Sequence, residues 1–209
     1  MAPIQTFVFM DFGTEPGTTI VTEVSLLPAP RKLYLDPSLE EPNNKLTLNF
    51  KNGGFSLDSY NNIDKFLNQQ EKPVCIVAHN GTTFDFPILK RELQRLNVSL
   101  SSDILCADSL YIYYDILENF DNDNMQYTGN SVRQIFYDGN DKPNSSYTLG
   151  DIYEREVTYP PVQAHPPEND NIMNFRISRR CGERFLAWTD QIQRDFDDVS
   201  SEELKADFE

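Results

Sequence analysis

Three aspartates and one histidine in this sequence have the residue types and surroundings of a site that hydrolyses phosphodiesters with metal ions. Asp11 directly follows an apolar run, Asp85 follows an apolar run that ends in small polar residues, and Asp170 comes five residues after His165. Each aspartate lies at the end of a predicted strand or the start of a predicted helix. Hydrolysis by two metal ions needs several carboxylates around ions about 3.5–4 Å apart, and Mg²⁺ prefers such oxygen ligands. His165 has the chemistry of a base that takes a proton from the attacking water.

Each of these side chains also has an ordinary structural explanation. Asp11 and Asp85 could cap helices, and Asp170 could simply stabilise a helix N-terminus through the helix dipole. A histidine followed by two prolines, as at His165, is common in surface loops. His79 is expected to make structural hydrogen bonds beneath the site rather than bind a metal. The metal-site interpretation therefore depends on these residues coming together in the fold.

The elements that must position these residues alternate between strand and helix patterns. Short apolar or alternating runs predict five strands, at residues 7–10, 20–27, 45–50, 74–77 and 104–107. Apolar residues at helical spacing predict helices over 59–70, 87–96 and 109–117. This order favours an α/β fold in which a mixed five-stranded sheet is flanked by helices, the order of a ribonuclease H-like domain.

The rest of the chain divides into a polar excursion, further helices and an acidic end. Residues 118–146 are rich in Asn, Asp and Gly, and we expect a mobile segment there that is partly disordered or faces substrate. A short helix is predicted from residue 147, and 169–188 predict one long helix or two. We expect a single domain over 1–196, followed by a solvated acidic tail over 197–209.

Composition limits the function classes. The 209 residues carry 33 acidic and 18 basic side chains, a formal net charge of −15 at pH 7. This excess argues against a protein that coats nucleic acid non-specifically, but it allows an enzyme that grips a few nucleotides at a metal-neutralised cleft. The three widely spaced cysteines are expected to be reduced, and no segment reaches the ~20 apolar residues of a membrane span. We expect a soluble intracellular protein, in the cytoplasm or the nucleus, with no membrane partner.

Several longer motifs carry a family resemblance. They are FVFMD at 7–11, VAHNGTTFDFPIL at 77–89, CADSL at 106–110, SYTLGDIY at 146–153 with the later His165 and Asp170, and FLAWTD at 185–190. In these motifs the chain resembles the three-prime repair exonucleases, a family in the DEDDh branch of the DnaQ-like 3′–5′ exonucleases. The resemblance covers nearly the whole chain, and the motif around Asp85 is the longest and most specific part of it.

The resemblance implies how the charged residues would act. Asp11, Asp85 and Asp170 would bind two Mg²⁺ or Mn²⁺ ions, and His165 would be the general base on a loop. The implied activity is the removal of nucleotides from 3′ ends of DNA. Single strands would be preferred, frayed duplex ends would also be accepted, and RNA is an open alternative substrate.

The resemblance also implies contacts with the substrate and with a second copy of the chain. Asn80 and Phe84 would contact the terminal nucleotides, with Gly13 as a further candidate for substrate contact. Residues 45–50 correspond to the edge strand through which the family joins two sheets into a homodimer. The expected partners are therefore DNA 3′ ends and a second subunit.

The first motif departs from the family pattern at Gly13. The family pattern Asp-x-Glu would place a second acid on the strand face of Asp11, whereas this sequence reads Asp11-Phe12-Gly13-Thr14-Glu15. Glu15 has the parity of Asp11, but in an extended strand it lies roughly 6.6 Å beyond position 13. Glu15 would replace the missing ligand only if the backbone bulges or turns at Gly13, which glycine permits. Otherwise the chain is an impaired exonuclease or a non-catalytic nucleic-acid-binding or regulatory protein.

Overall fold

The computed structural model describes residues 2–50, 54–118, 124–127, 145–158 and 166–204. Two predictions lie wholly or mostly outside these residues, namely the position of His165 and the excursion over 118–146. Within the described ranges, no helix is long and apolar enough to cross a membrane.

A single mixed sheet forms the centre of the described structure. Its six strands lie in the order β3-β2-β1-β4-β5-β6. They are β1 (Thr6–Thr14), β2 (Val21–Pro30), β3 (Leu46–Asn49), β4 (Val74–Ala78), β5 (Ile104–Asp108) and β6 (Arg194–Asp195). β1 pairs antiparallel with β2 and parallel with β4, which confirms the mixed sheet. The sequence predicts only five strands, because a two-residue strand such as β6 is too short to show an alternating pattern.

Helices cover both faces of this sheet. They are α1 (Lys32–Leu35), α2 (Leu57–Asn68), α3 (Asp85–Leu96), α4 (Ser109–Glu118), α5 (Leu149–Glu156), α6 (Pro167–Cys181) and α7 (Glu183–Ile192). The segment predicted as one helix or two is two helices. They separate at Gly182, whose φ of +58° is outside the helical range and favours glycine.

Alternating residues of β1 enter two separate hydrophobic cores. Phe7 and Phe9 belong to the core that includes residues of α4, α6 and α7. Val8 and Met10 belong to the core beneath α2 and α3. Because successive strand residues point to opposite faces, Asp11 lies on the α6 side of the sheet.

The chain beyond α7 returns to the sheet. Phe196 and Val199 are 2% and 3% exposed and lie in the core beneath α2 and α3. Leu204 packs against the same core. The described part of the segment that the sequence predicts as a solvated tail therefore contributes to the core, because its few apolar residues reach the sheet.

Candidate active site

The end of the pairing between β1 and β4 creates the position that Asp85 fills. The register between these parallel strands runs only to the pair Phe9 and Val77, so β1 continues past its neighbour. Beyond that point the Phe12 N–H donates a 2.9 Å hydrogen bond to Asp85 Oδ1. This bond holds the first turn of α3 against the backbone next to Asp11.

The Asp85 carboxylate is buried with one oxygen unsatisfied. Asp85 is 1% exposed, and its Oδ2 atom has no hydrogen-bond partner among the described residues. Burial raises the pKa of Asp85 to about 8, helped by the charges of Asp108 and Asp170 and opposed by the Phe12 N–H. A buried, unpartnered carboxylate is costly, so a cation placed at Oδ2 would be strongly stabilising.

A tight turn lies directly before α3. Asn80 has a φ of +59°, and its Oδ1 accepts a 2.9 Å hydrogen bond from Thr83 Oγ1. Gly81 follows in a crowded position, where a Cβ atom would lie only 2.7 Å from Ala78 Cβ. Phe84 then precedes α3 and packs partly against the core below it. Both predicted substrate contacts, Asn80 and Phe84, therefore lie in the segment that leads into Asp85.

Asp108 braces this turn. Its Oδ2 accepts a 2.8 Å hydrogen bond from the Thr82 N–H, and its Oδ1 accepts one of 3.0 Å from the Leu110 N–H. Both oxygens of this buried carboxylate are thus used by backbone donors. Asp108 therefore acts as a structural support, although it stands at a strand end like the predicted metal ligands.

Helix α6 brings Asp170 to the face of the sheet that carries Asp11. Asp170 lies in the first turn of α6. The neighbouring Asn171 donates a 2.8 Å hydrogen bond from Nδ2 to the backbone oxygen of Ser25. Ser25 is the cross-strand partner of Asp11, so this bond fixes the start of α6 over the end of β1.

Asp11 lies within a cluster of acidic side chains. Burial raises the pKa of Asp11 well above its usual value, and the charges of Asp85, Asp170 and Glu23 raise it further, in that order. Like charges oppose one another's ionisation, so these acids act electrostatically on Asp11. The structure brings the three predicted aspartates together and adds Glu23, which sequence reasoning missed. Only the register of β1 with β2 could have indicated Glu23.

Gly13 and Glu15 lie at the far end of β1. A Cβ atom at Gly13 would lie 3.3 Å from Cγ of Pro167, so this position faces the start of α6. Glu15 lies beyond the strand, where its N–H donates a 2.9 Å hydrogen bond to the Ile20 oxygen in the turn that leads to β2. Its side chain is exposed. The two residues therefore differ in surroundings, with Gly13 facing α6 and Glu15 facing solvent.

The donors in this cluster suit a hard divalent cation. They are carboxylate oxygens, which Mg²⁺ and similar ions prefer, and the unsatisfied Asp85 oxygen provides a place for such an ion. In the part of the chain that the structure describes, no three His, Cys, Asp or Glu side chains already stand in a metal-binding arrangement. A cation bound here would therefore require the carboxylates to turn toward it.

Comparison with known proteins identifies relatives of the chain, although no protein-family model matches it. Three prime repair exonuclease 2 of Mus musculus is 33% identical over 141 residues, which cover 68% of this chain and 53% of the relative. The Homo sapiens protein of the same name is 31% identical over 144 residues, covering 69% and 55%. The chain is a homologue of the three-prime repair exonucleases. It is also 31% identical to Three-prime repair exonuclease 1 of Bos taurus over 146 residues, covering 69% and 41%.

Solved structures share the fold of the chain. A structure of exonuclease I superposes with a TM-score of 0.59 at 12% identity and covers 88% of this chain and 43% of that chain. The zinc-ion-bound form of the Escherichia coli exonuclease I complex with single-stranded DNA has a TM-score of 0.59 at 12% identity, covering 88% and 42%. These similarities show the fold and confirm the predicted ribonuclease H-like, DnaQ-like α/β class. The chain spans about half the length of the three-prime repair exonuclease 2 proteins that it matches.

Proposed function

We propose that this chain is a 3′–5′ exonuclease that uses divalent metal ions to release nucleotides from 3′ ends of DNA and prefers single strands. One observation carries the proposal: the buried Asp85 carboxylate keeps an unsatisfied oxygen beside Asp11, where several acids act on one another. The names of the curated relatives support the direction of the reaction, because they are three-prime repair exonucleases.

The residues of the site would have different roles in the reaction. Asp11, Asp85 and Asp170 would hold Mg²⁺ or Mn²⁺. When bound, such ions activate water and stabilise the leaving oxygen of a phosphodiester. His165 would take the proton from the attacking water.

The segment that leads into α3 would hold the end of the substrate. Asn80 and Phe84 precede α3 in the chain, and we propose that they contact the terminal nucleotides. Gly13 lies on the strand that carries Asp11 and is a further candidate for contact with the substrate.

Release of mononucleotides from a 3′-labelled single-stranded DNA with Mg²⁺ tests this function. We expect Asp85→Asn and Asp170→Asn each to lower the rate at least about 100-fold, because losing a metal ligand removes several kcal/mol of transition-state stabilisation. Asp103→Asn is the matched control. Asp103 pairs with Lys72 at 2.7 Å just before β5, at the opposite end of the strands. Its rate should stay within about twofold of the unaltered chain.

Two further substrates test whether cleavage needs a free end and which polymer is preferred. A circular single-stranded DNA has no 3′ end and should stay intact, whereas cutting of the circle would contradict an exonuclease. An RNA strand of the same sequence tests the open alternative, since only contacts to the 2′-OH distinguish the two polymers. Faster release from RNA than from DNA would reassign the substrate. Equal rates for the unaltered chain and Asp85→Asn would contradict the proposed site.

A non-catalytic nucleic-acid-binding or regulatory protein is the second candidate. Gly13 is the observation that favours it, because β1 offers no second carboxylate at that position. Under this alternative the unaltered chain binds a single strand with Mg²⁺ but releases no nucleotides. The release assay therefore separates the two functions directly.

The quaternary structure belongs to the same proposal. β3 lies at one edge of the sheet, as predicted for the dimerisation strand at residues 45–50. A second copy could continue the sheet there through backbone hydrogen bonds. We infer that the working form is a homodimer with one active site in each subunit.

A further inference from the structure

The register of the sheet places Glu23 directly opposite Gly13. β1 and β2 pair Gly13 with Glu23 and Asp11 with Ser25. Residues directly opposite one another in an antiparallel pair project to the same face, and Asp11 and Gly13 share a face because they are two residues apart. Glu23 therefore projects on the face that carries Asp11.

A β-bulge falls at this point of the sheet. The residue after Gly13, Thr14, pairs with Val21 rather than Thr22, so Thr22 is an extra residue on β2. Bulges re-aim the neighbouring side chains and are common beside active sites. A Cβ atom on Gly13 would lie 3.4 Å from both Glu23 Cβ and Thr22 Oγ1. The Glu23 side chain thus begins next to the space that a side chain at position 13 would occupy.

The surroundings of the Glu23 carboxylate leave it available to a cation. Within the described residues, neither a hydrogen bond nor an ion pair engages the Glu23 side chain. Glu23 is partly buried and lies two residues from Ser25, the cross-strand partner of Asp11. A bound cation would therefore displace no described protein partner of this carboxylate.

We propose that Glu23, from β2, is the fourth carboxylate of the metal site and takes the place of the side chain that position 13 lacks. This inference rests on the proposed function. Independent support comes from the buried Asp85 Oδ2, which has no hydrogen-bond partner among the described residues and would gain one in a bound cation. The bare Gly13 leaves room for Glu23 to reach the ions from the neighbouring strand. The acid missing from β1 is thereby supplied across the sheet.

Calorimetric titration of the full chain with Mn²⁺ tests the role of Glu23 without relying on activity. We expect Glu23→Gln to weaken Mn²⁺ binding at least about tenfold, because the amide keeps the shape of the side chain but loses the charge. Glu71→Gln is the matched control. Glu71 is exposed, and its backbone oxygen contacts Thr6 Oγ1 at the opposite end of β1. Its affinity should stay within about twofold of the unaltered chain.

Moving the carboxylate to β1 gives a second, gain-of-function test. In the Glu23→Gln background, Gly13→Glu should restore Mn²⁺ affinity to within about threefold of the unaltered chain, since it returns an acid to the same face. The new Cβ would lie 3.3 Å from Pro167 Cγ, so α6 must give only slightly. Failure of the double variant to recover affinity would overturn the proposed equivalence of the two positions.

The outcomes separate this inference from the proposed function. If the unaltered chain binds no Mn²⁺, the metal-dependent function fails and the role of Glu23 fails with it. If the unaltered chain binds Mn²⁺ and Glu23→Gln binds it equally well, only the role of Glu23 is overturned. A larger loss in Glu15→Gln than in Glu23→Gln would assign the fourth carboxylate to Glu15 instead.

A conservative variant keeps the test readable if Glu23→Gln does not fold. Glu23→Asp retains the charge and draws the carboxylate back by about one methylene. It should fold and lose less affinity than the amide variant, because the charge is kept while ligand geometry suffers. Thermal melting without Mn²⁺ establishes folding of each variant, and an unchanged affinity in a folded Glu23→Asp protein would contradict direct ligation.

Discussion

His79 shows how a single partly buried side chain supports the candidate site. Its Nδ1 lies 3.1 Å from Ser109 Oγ and its Nε2 lies 2.9 Å from the Tyr147 backbone oxygen. The ring also stacks on Tyr113, with centroids 6.2 Å apart. His79 therefore ties the end of β4, just before Asn80, to α4 and to the segment ahead of α5. This confirms the expected structural hydrogen bonds of His79.

The pH dependence of folding stability tests this role of His79. Burial lowers the pKa of His79 from 6.5 to about 4, although the bond to the Tyr147 oxygen opposes the shift. Between these values the unfolded chain binds a proton that the folded chain does not bind. Stability is therefore complete above about pH 6.5 and is lost as the pH falls toward 4, by an amount of the order of 3 kcal/mol.

Urea unfolding of the unaltered chain and of His79→Gln from pH 4 to pH 7.5 measures this contribution. The amide of Gln can still donate to the Tyr147 oxygen but does not titrate in this range. We expect the stability difference between the two proteins to shrink as the pH falls. Parallel curves for the two proteins would show that His79 does not titrate as described.

At the scale of elements, the edge strand β3 pairs with β2 on one side and directs backbone N–H and C=O groups outward on the other. The Phe50 N–H donates a 2.8 Å hydrogen bond to the Thr22 oxygen of β2. Because hydrogen-bonded pairs alternate along an antiparallel ladder, Leu46 and Leu48 bond inward while Thr47 and Asn49 turn their backbone groups outward. This outward row is what a second sheet would use to pair with the first.

Replacing Asn49 by proline should therefore dissociate the proposed dimer. Proline removes the outward N–H at an exposed edge position, and it breaks no inward bond of β3. Asn49→Ala keeps the N–H and serves as the matched control. Sedimentation equilibrium should give a dimer for the unaltered chain and Asn49→Ala, and a monomer for Asn49→Pro. A dimer that survives the proline would place the interface elsewhere.

At the scale of the whole molecule, negative charge dominates and many of the cations are already engaged. The net charge is −15. Among the described residues, ion pairs join Arg31 to Asp190 at 2.8 Å, Arg176 to Glu41 at 2.9 Å, and Arg194 to Glu203 at 3.1 Å. The excess of acidic over basic side chains disfavours an extended cationic track along a nucleic-acid backbone, so contact with phosphates would depend on bound metal ions.

The salt dependence of DNA affinity should accordingly be shallow. Each neutralised phosphate on a single strand adds about −0.7 to the slope of log affinity against log salt. With about two phosphates neutralised at the site, we expect a slope near −1.4 for a phosphorothioate-linked single strand, measured by fluorescence anisotropy at constant Mn²⁺. A slope steeper than about −3 would instead reveal an extended row of cationic contacts.

Local sequence determined most of the scaffold and the positions of the central aspartates. Apolar alternation over two residues and helical spacing depend on near neighbours, so five strands and the helix after Asp85 could be predicted. Asp11 and Asp85 could be predicted because each follows an apolar strand within a motif of consecutive residues. The homology and the fold class follow from the same local patterns.

Tertiary structure alone decided which acids meet and which are used elsewhere. Glu23 lies opposite Gly13 only because of the register between β1 and β2 and the bulge at Thr22. Asp108 resembles a metal ligand in sequence, yet both of its oxygens are used by backbone N–H groups. Register and hydrogen-bond partners depend on contacts between residues far apart in the chain, and no local pattern encodes them. The sequence therefore predicts a carboxylate site at Asp85, and the sheet decides which side chains complete it.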